Sequence, residues 1–160
     1  MQASAQDKSF ALLRIAFGCV WGIDAMFKWL PAFQDNFVGY ISDGAQGQPA
    51  LVQTWINLWV TVANIQPHTF ALVVAFAETA IAIGLIFGIF TRIANWGGIA
   101  LALAIWSTAE GFGGPYAPGS TDIGTGIIYI FVHLSLIAGK SWRTYSVDSL
   151  LKGAFSASSW

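Results

Sequence analysis

The residues able to do chemistry in this sequence form two sets. Asp24 and Lys28 lie four positions apart, which puts both on one face of a helix. Glu110 and Asp122 stand in a polar stretch from Trp106 to Tyr129, WSTAEGFGGPYAPGSTDIGTGIIY, strung between two apolar runs. Arg14, Glu78 and His133 make up the second set, each enclosed in an apolar run of its own. Carboxylates and an imidazole can take and give protons, and cations can bind an anion or a carbonyl oxygen. Ionisable groups are costly in apolar surroundings, so they mark either function or mutual pairing.

The elements that must position these groups follow from composition. Of 160 residues, 56% are hydrophobic and only 9% charged, against about a quarter charged in soluble proteins. Apolar runs at 10–30, 69–90, 93–109 and 123–139 each approach the roughly 20 residues that one bilayer crossing needs. These features predict an all-α fold, a single transmembrane domain over 1–160 built as an integral membrane four-helix bundle. Pro31 closes the first run, Pro67 precedes the second, and glycines and prolines between Gly113 and Gly119 separate the last two. A shorter segment at 51–65 carries Gln53, Asn57, Thr61 and Asn64 on one helical face and Val52, Trp55, Trp59 and Val62 on the other. That pattern predicts an additional interfacial helix on the extracytoplasmic side. Four crossings gather Lys8, Arg92, Lys140, Arg143 and Lys152 on one side, so both termini are expected in the cytoplasm, with 31–68 and 110–122 outside.

Depth along the helices then sorts the ionisable residues. Near the outer edge lie Asp24, Lys28, Glu110 and Asp122, which are expected to converge in one pocket; about 15 to 17 Å deeper lie Glu78 and His133, with Arg14 reaching inward. Each group also has a structural alternative. Asp24 and Lys28 can simply neutralise each other. Asp122, after Ser120 and Thr121, stands where carboxylates cap a helix N-terminus. Glu110 ends a helix and opposes its dipole, which gives it the strongest claim to a ligand. Arg14, Glu78 and His133 either lock the bundle or form a proton path. A slot walled by Trp106 and Tyr129, with His133 and Glu78 as polar groups, would suit a quinone ring held without a covalent bond. Trp21, Trp29, Trp96 and Trp142 are expected in interfacial belts, and Gly84 and Gly88 form a GxxxG step for close helix approach within or between chains.

Several classes have no support. A net charge of −1 without a Lys/Arg cluster gives nucleic acid nothing to bind. One cysteine, Cys19, makes no disulfide and holds no iron–sulfur cluster, and no metal, haem or nucleotide motif is present. Neither is a nucleophile elbow or an HExxH motif, so no motif supports a self-contained enzyme. The polar start MQASAQDKSF and the interrupted apolar run after it lead us to expect no cleaved signal peptide.

The ordered stretches LRIAFGCVWGIDAMFKW at Leu13 to Trp29 and ETAIAIGLIFGIFTRIANWGG at Glu78 to Gly98 carry a resemblance. They are similar to the DoxX/DoxD superfamily of small four-helix membrane proteins over most of residues 10–140, and the Trp106 to Tyr129 stretch resembles the DoxD branch most. The resemblance implies a multi-pass subunit in the cytoplasmic (inner) membrane of a prokaryote, of the kind found in thiosulfate:quinone oxidoreductase. It implies a quinone-linked oxidoreductase or electron-transfer complex; the residue reading above then makes Glu110, Asp122, Glu78, His133 and Arg14 the candidate catalytic residues and Trp106, Tyr129, Asp24 and Lys28 the candidate quinone contacts. Membrane lipid and other subunits, met through the outer loop or the GxxxG face, are the expected partners. The alternative is a non-catalytic structural subunit or assembly factor of a larger membrane complex.

Overall fold

The computed structural model describes residues 4–151, and all regular structure among them is helical. In chain order the helices are α1 (Ala5–Lys28), α2 (Pro31–Asp35), α3 (Phe37–Asp43), α4 (Ala50–Ala63), α5 (Pro67–Phe87), α6 (Thr91–Ser107) and α7 (Thr125–Ala138), with 3₁₀ turns at Gly111–Gly113 and Ser141–Arg143. Two of them, α1 and α5, are long and apolar enough to cross a membrane; α4 and α7 are shorter apolar helices. Lys152 and the end of the tail lie outside the described residues.

Local chemistry sets most helix ends. Ser4 Oγ accepts from the Asp7 amide at 3.1 Å while the Asp7 carboxylate accepts from the Ser4 amide at 3.2 Å, a reciprocal cap that starts α1. α1 stops before Pro31, whose ring and missing N–H open a new helix instead, and the Gln34 amide donates to the Lys28 carbonyl at 2.6 Å. α5 starts on Pro67 and ends at Gly88, which is left-handed at φ 67°. Gly88 therefore stands past the helix, and Gly84 faces Ala94 of α6. Within this chain the expected GxxxG step is thus a contact of Gly84 with α6 plus a helix stop at Gly88. α6 keeps the length of its apolar run but starts and ends two residues earlier, and α7 is three residues shorter than its run, because residues 108–124 fold into a hydrogen-bonded loop.

α1 packs chiefly on α5, α5 also on α6, and α6 on α7, whose other side returns to α1. The register of α1 on α5 sets the depth at which α1 ends. Gly18 lies against Leu85 and Ile86 so closely that a Cβ there would come within 2.9 Å of both, and the Trp29 indole donates to Thr79 Oγ1 at 3.1 Å. α1 consequently ends level with the middle of α5, and the Pro67 half of α5 packs on α2 and α3 instead. Phe37, Ile41, Ile56, Ala63 and Ala71 form a second apolar core there, separate from the one around Phe17, Trp21, Leu85 and Leu136. The packed face of α4 is Val52, Ile56, Val60 and Ala63, and Trp55 and Trp59 are partly exposed.

Polar groups are buried beside these apolar cores, and large apolar side chains are exposed. Arg14, Glu78, Thr91, Asn95, His133 and Ser141 are buried, while Ile23, Met26, Phe76, Ile93 and Phe131 are exposed.

Candidate functional site

The buried polar groups occupy three successive layers along α1. In the first, both Nη atoms of Arg14 donate to backbone carbonyls, of Ser141 at 3.1 Å and of Tyr145. The Asp148 carboxylate accepts from the amides of Phe90 and Thr91 at 2.9 and 2.8 Å and so caps α6 from a distant part of the chain. Arg14 and Asp148 together fasten the segment after α7 beneath the bundle.

The second layer is centred on His133. The Trp21 indole can only donate, so it fixes His133 Nε2, 3.2 Å away, as an acceptor. The ring proton then sits on Nδ1 and goes to Asn95 Oδ1 at 2.9 Å, while Asn95 Nδ2 donates to the Thr91 carbonyl at 2.8 Å. Gly98 makes room for this ring: a Cβ there would lie 2.0 Å from His133 Nε2. Both imidazole nitrogens are thereby engaged. Trp21, expected at an interface, is instead 1% exposed.

The third layer holds Asp24, Tyr129, Lys28 and Glu78. Tyr129 donates its hydroxyl to Asp24 at 2.8 Å. Lys28 Nζ lies 3.4 Å from Glu78 Oε2 and 5.3 Å from the Phe33 ring centroid. That carboxylate oxygen is buried and has no hydrogen-bond partner, so the pair is an ion contact longer than the usual 2.7–3.2 Å bond. Asp24 and Lys28, four apart on one helix, thus turn to different neighbours rather than neutralising each other.

The expected groupings therefore change. Arg14, Glu78 and His133 do not form one cluster, since each has its own partners in a different layer. Asp24 and Lys28 bond to neither Glu110 nor Asp122: Asp24 accepts from Tyr129 and Lys28 faces Glu78. Glu110, the strongest ligand candidate, accepts from Thr125 Oγ1 at 2.5 Å and from the Gly126 amide at 2.9 Å. It is the cap of α7. Asp122, expected as that cap, accepts from the Gly124 amide at 2.8 Å in the turn just before the helix. Trp106 donates to the Ile123 carbonyl at 2.8 Å, which closes the same hairpin. On the other side, buried Gln48 donates to the Gly111 carbonyl at 2.9 Å and joins the hairpin to the segment after α3.

Where α1 stops short, a cavity of about 620 Å³ takes its place between the Pro67 half of α5 and the Ser107 half of α6, covered by α2, α3 and α4. This lies within the roughly 300–1,000 Å³ range of small-molecule sites. Phe33, Phe37, Tyr40, Trp59, Phe70 and Leu101 wall it, and Lys28 brings its charge to the floor. Lys28 is the one expected site residue that lines it; His133, Trp106 and Tyr129, proposed as the walls of a quinone slot, do not. The aromatic walls escaped sequence reasoning because Phe33, Phe37 and Tyr40 fall in a connection with no long apolar run. The partners Trp21 and Asn95 were missed too, although an asparagine inside the apolar run at 93–109 was a usable signal for a buried polar contact.

Chemically, the cavity is an apolar aromatic slot with one ammonium donor and a carboxylate behind it. Among the described residues, no group of three or more His, Cys, Asp or Glu side chains converges to hold a metal ion. Compared with family models, with curated proteins and with solved structures, the chain gives no match.

Proposed function

We propose that the chain is an integral membrane bundle of α1, α5, α6 and α7, capped on its extracytoplasmic side by α2 to α4. The cavity under that cap takes the ring of a membrane quinone. The single observation that carries this reading is the cavity itself: about 620 Å³, aromatic, with Lys28 at its floor beside Glu78. The large apolar side chains exposed outside, with Arg14, Glu78 and His133 buried inside, support the membrane setting. In this reading Lys28 donates to a ring carbonyl, and Glu78 balances its charge and can hold a proton for the reduced ring. Reduction of a quinone to a quinol takes two electrons and two protons; the electrons come from a partner subunit and the protons from water, passed one at a time through the Lys28–Glu78 pair, so the chain acts within a quinone-linked oxidoreductase or electron-transfer complex.

The protein purified in detergent is titrated with a short-chain quinone, with quenching of tryptophan fluorescence as the readout and Trp59 in the cavity wall as the reporter. Saturable quenching that Lys28→Met weakens at least tenfold supports the reading. Quenching that is unaltered by Lys28→Met and by Trp59→Phe places the quinone elsewhere and defeats it.

The second reading, a structural subunit or assembly factor, has one observation in its favour. Glu110, Trp106 and Asp122 are all spent on the hairpin's own backbone, and Tyr116 stands exposed at its tip. That is the form of a rigid docking surface. Co-purification of a partner lost on Tyr116→Ala, with quinone titration unchanged, would favour it.

A further inference from the structure

At the opposite end of the bundle from the cavity, Arg92 near the start of α6 and Lys140 and Arg143 after α7 converge on one cleft of about 400 Å³, with Trp142 and Ser149. The Arg92 guanidinium lies 4.5 Å from the Trp142 ring centroid, and that ring is itself buried, so the cation is held by stacking. The backbone around the cleft is fastened as well. Arg14 holds the carbonyls of Ser141 and Tyr145, and Asp148 is tied to the amides that start α6.

Charge in the cleft is unbalanced. Among the described residues none of its three cations forms an ion pair, the one ion pair being Lys28 with Glu78. Asp148, the neighbouring carboxylate, is already committed to Phe90 and Thr91. Asp7 on α1 lies within Coulomb range of Arg143 but makes its hydrogen bonds to Ser4. Three converging cations with no carboxylate of their own fit a phosphate group. The surroundings indicate what carries that phosphate. Phe90 just before α6 and Ile93 and Trp96 on it are exposed around Arg92, and an apolar groove between α5 and α6 runs along Phe90, Ile93 and Gly97.

We infer that this cleft binds the phosphate of an anionic phospholipid at the cytoplasmic surface, its chains lying along the exposed face of α6. The inference rests on the membrane setting proposed above but not on the quinone site.

The test uses the full chain in detergent, with native mass spectrometry of retained phosphatidylglycerol against phosphatidylcholine. Phosphatidylglycerol is expected to be retained at least tenfold better, and the combined variant Arg92→Gln, Lys140→Gln, Arg143→Gln to abolish that preference. Because loss of the Arg92 stack can loosen the tail, Lys140→Gln alone and Arg143→Lys are measured beside it. The first should lower the preference several-fold and the second should keep it, with unchanged thermal unfolding in both. Equal retention of the two lipids, or a preference indifferent to the combined variant, overturns the inference. Displacement of the lipid by millimolar inorganic phosphate would identify a site for a free anion and overturns it also. Recovery of the protein in the aqueous fraction without detergent would defeat the membrane setting, and the quinone titration reports on the cavity separately.

Discussion

Arg14 and Lys28 are two cations drawn inward from the same helix, and their surroundings are opposite. Arg14 is fully buried and spends both Nη atoms on carbonyls of the segment after α7. Lys28 keeps about a fifth of its side chain exposed, sits 3.4 Å from a carboxylate oxygen that nothing else satisfies, and borders a cavity. With both Nη atoms ending on backbone and only its buried Nε left without a partner, Arg14 fixes the fold at that point. A cation whose donors are only partly used, beside open aromatic space, has capacity left for a ligand. The same contrast separates the hairpin, where Glu110 and Trp106 are consumed by local backbone, from the slot under α2 to α4.

The comparison can be broken most directly at its two poles. Arg14→Met should cost about 3–5 kcal/mol of stability, since it strands buried carbonyls and releases the tail. Thermal unfolding in detergent would show this, and the protein that remains folded should bind quinone as before; lost binding without lost stability would reverse the assignment of the two cations. Lys28→Met should weaken quinone binding by about ten- to a hundredfold, the range of a hydrogen bond from a charged group at 1.5–3 kcal/mol. It also strands Glu78, so Lys28→Met with Glu78→Gln should recover stability but not binding. Recovery of both would show that Lys28 serves only its partner.

Two smaller effects sharpen the contrast. Gly98→Ala should cost about 1–3 kcal/mol, because its methyl group would displace His133 from Trp21. Loss of order around Trp21, seen in near-ultraviolet circular dichroism, is the accompanying sign. Glu110→Gln should cost only about 0.5–1 kcal/mol through a weakened α7 cap, with no change in quinone titration. A large fall in quinone affinity in Glu110→Gln would return the site to the hairpin.

Glu110 also shows why a site can be misjudged from sequence. Judged against its own helix, a carboxylate at the C-terminus of α6 is badly placed and calls for a ligand. The hairpin carries the start of α7 back beside it, and the charge that opposes one helix dipole satisfies the next. Asp148 is a stronger case, since nothing in its neighbourhood in sequence marks it as the cap of α6. Gln48 likewise reaches Gly111 across a separation that no local pattern records.

By itself the sequence determined the all-α class, the positions of the apolar runs, the breaks at Pro31 and Pro67, and the presence of costly polar groups within those runs. These properties depend on composition, periodicity and backbone restriction, which act over one or two helical turns. Only the tertiary structure decided which polar groups meet. The close contact of Gly18 with Leu85 and Ile86 slides α1 along α5 until Lys28 reaches Glu78, and that same offset leaves the cavity above it. Register between helices is set by side-chain packing across the chain, so neither the pair nor the space beside it could be placed from either helix alone.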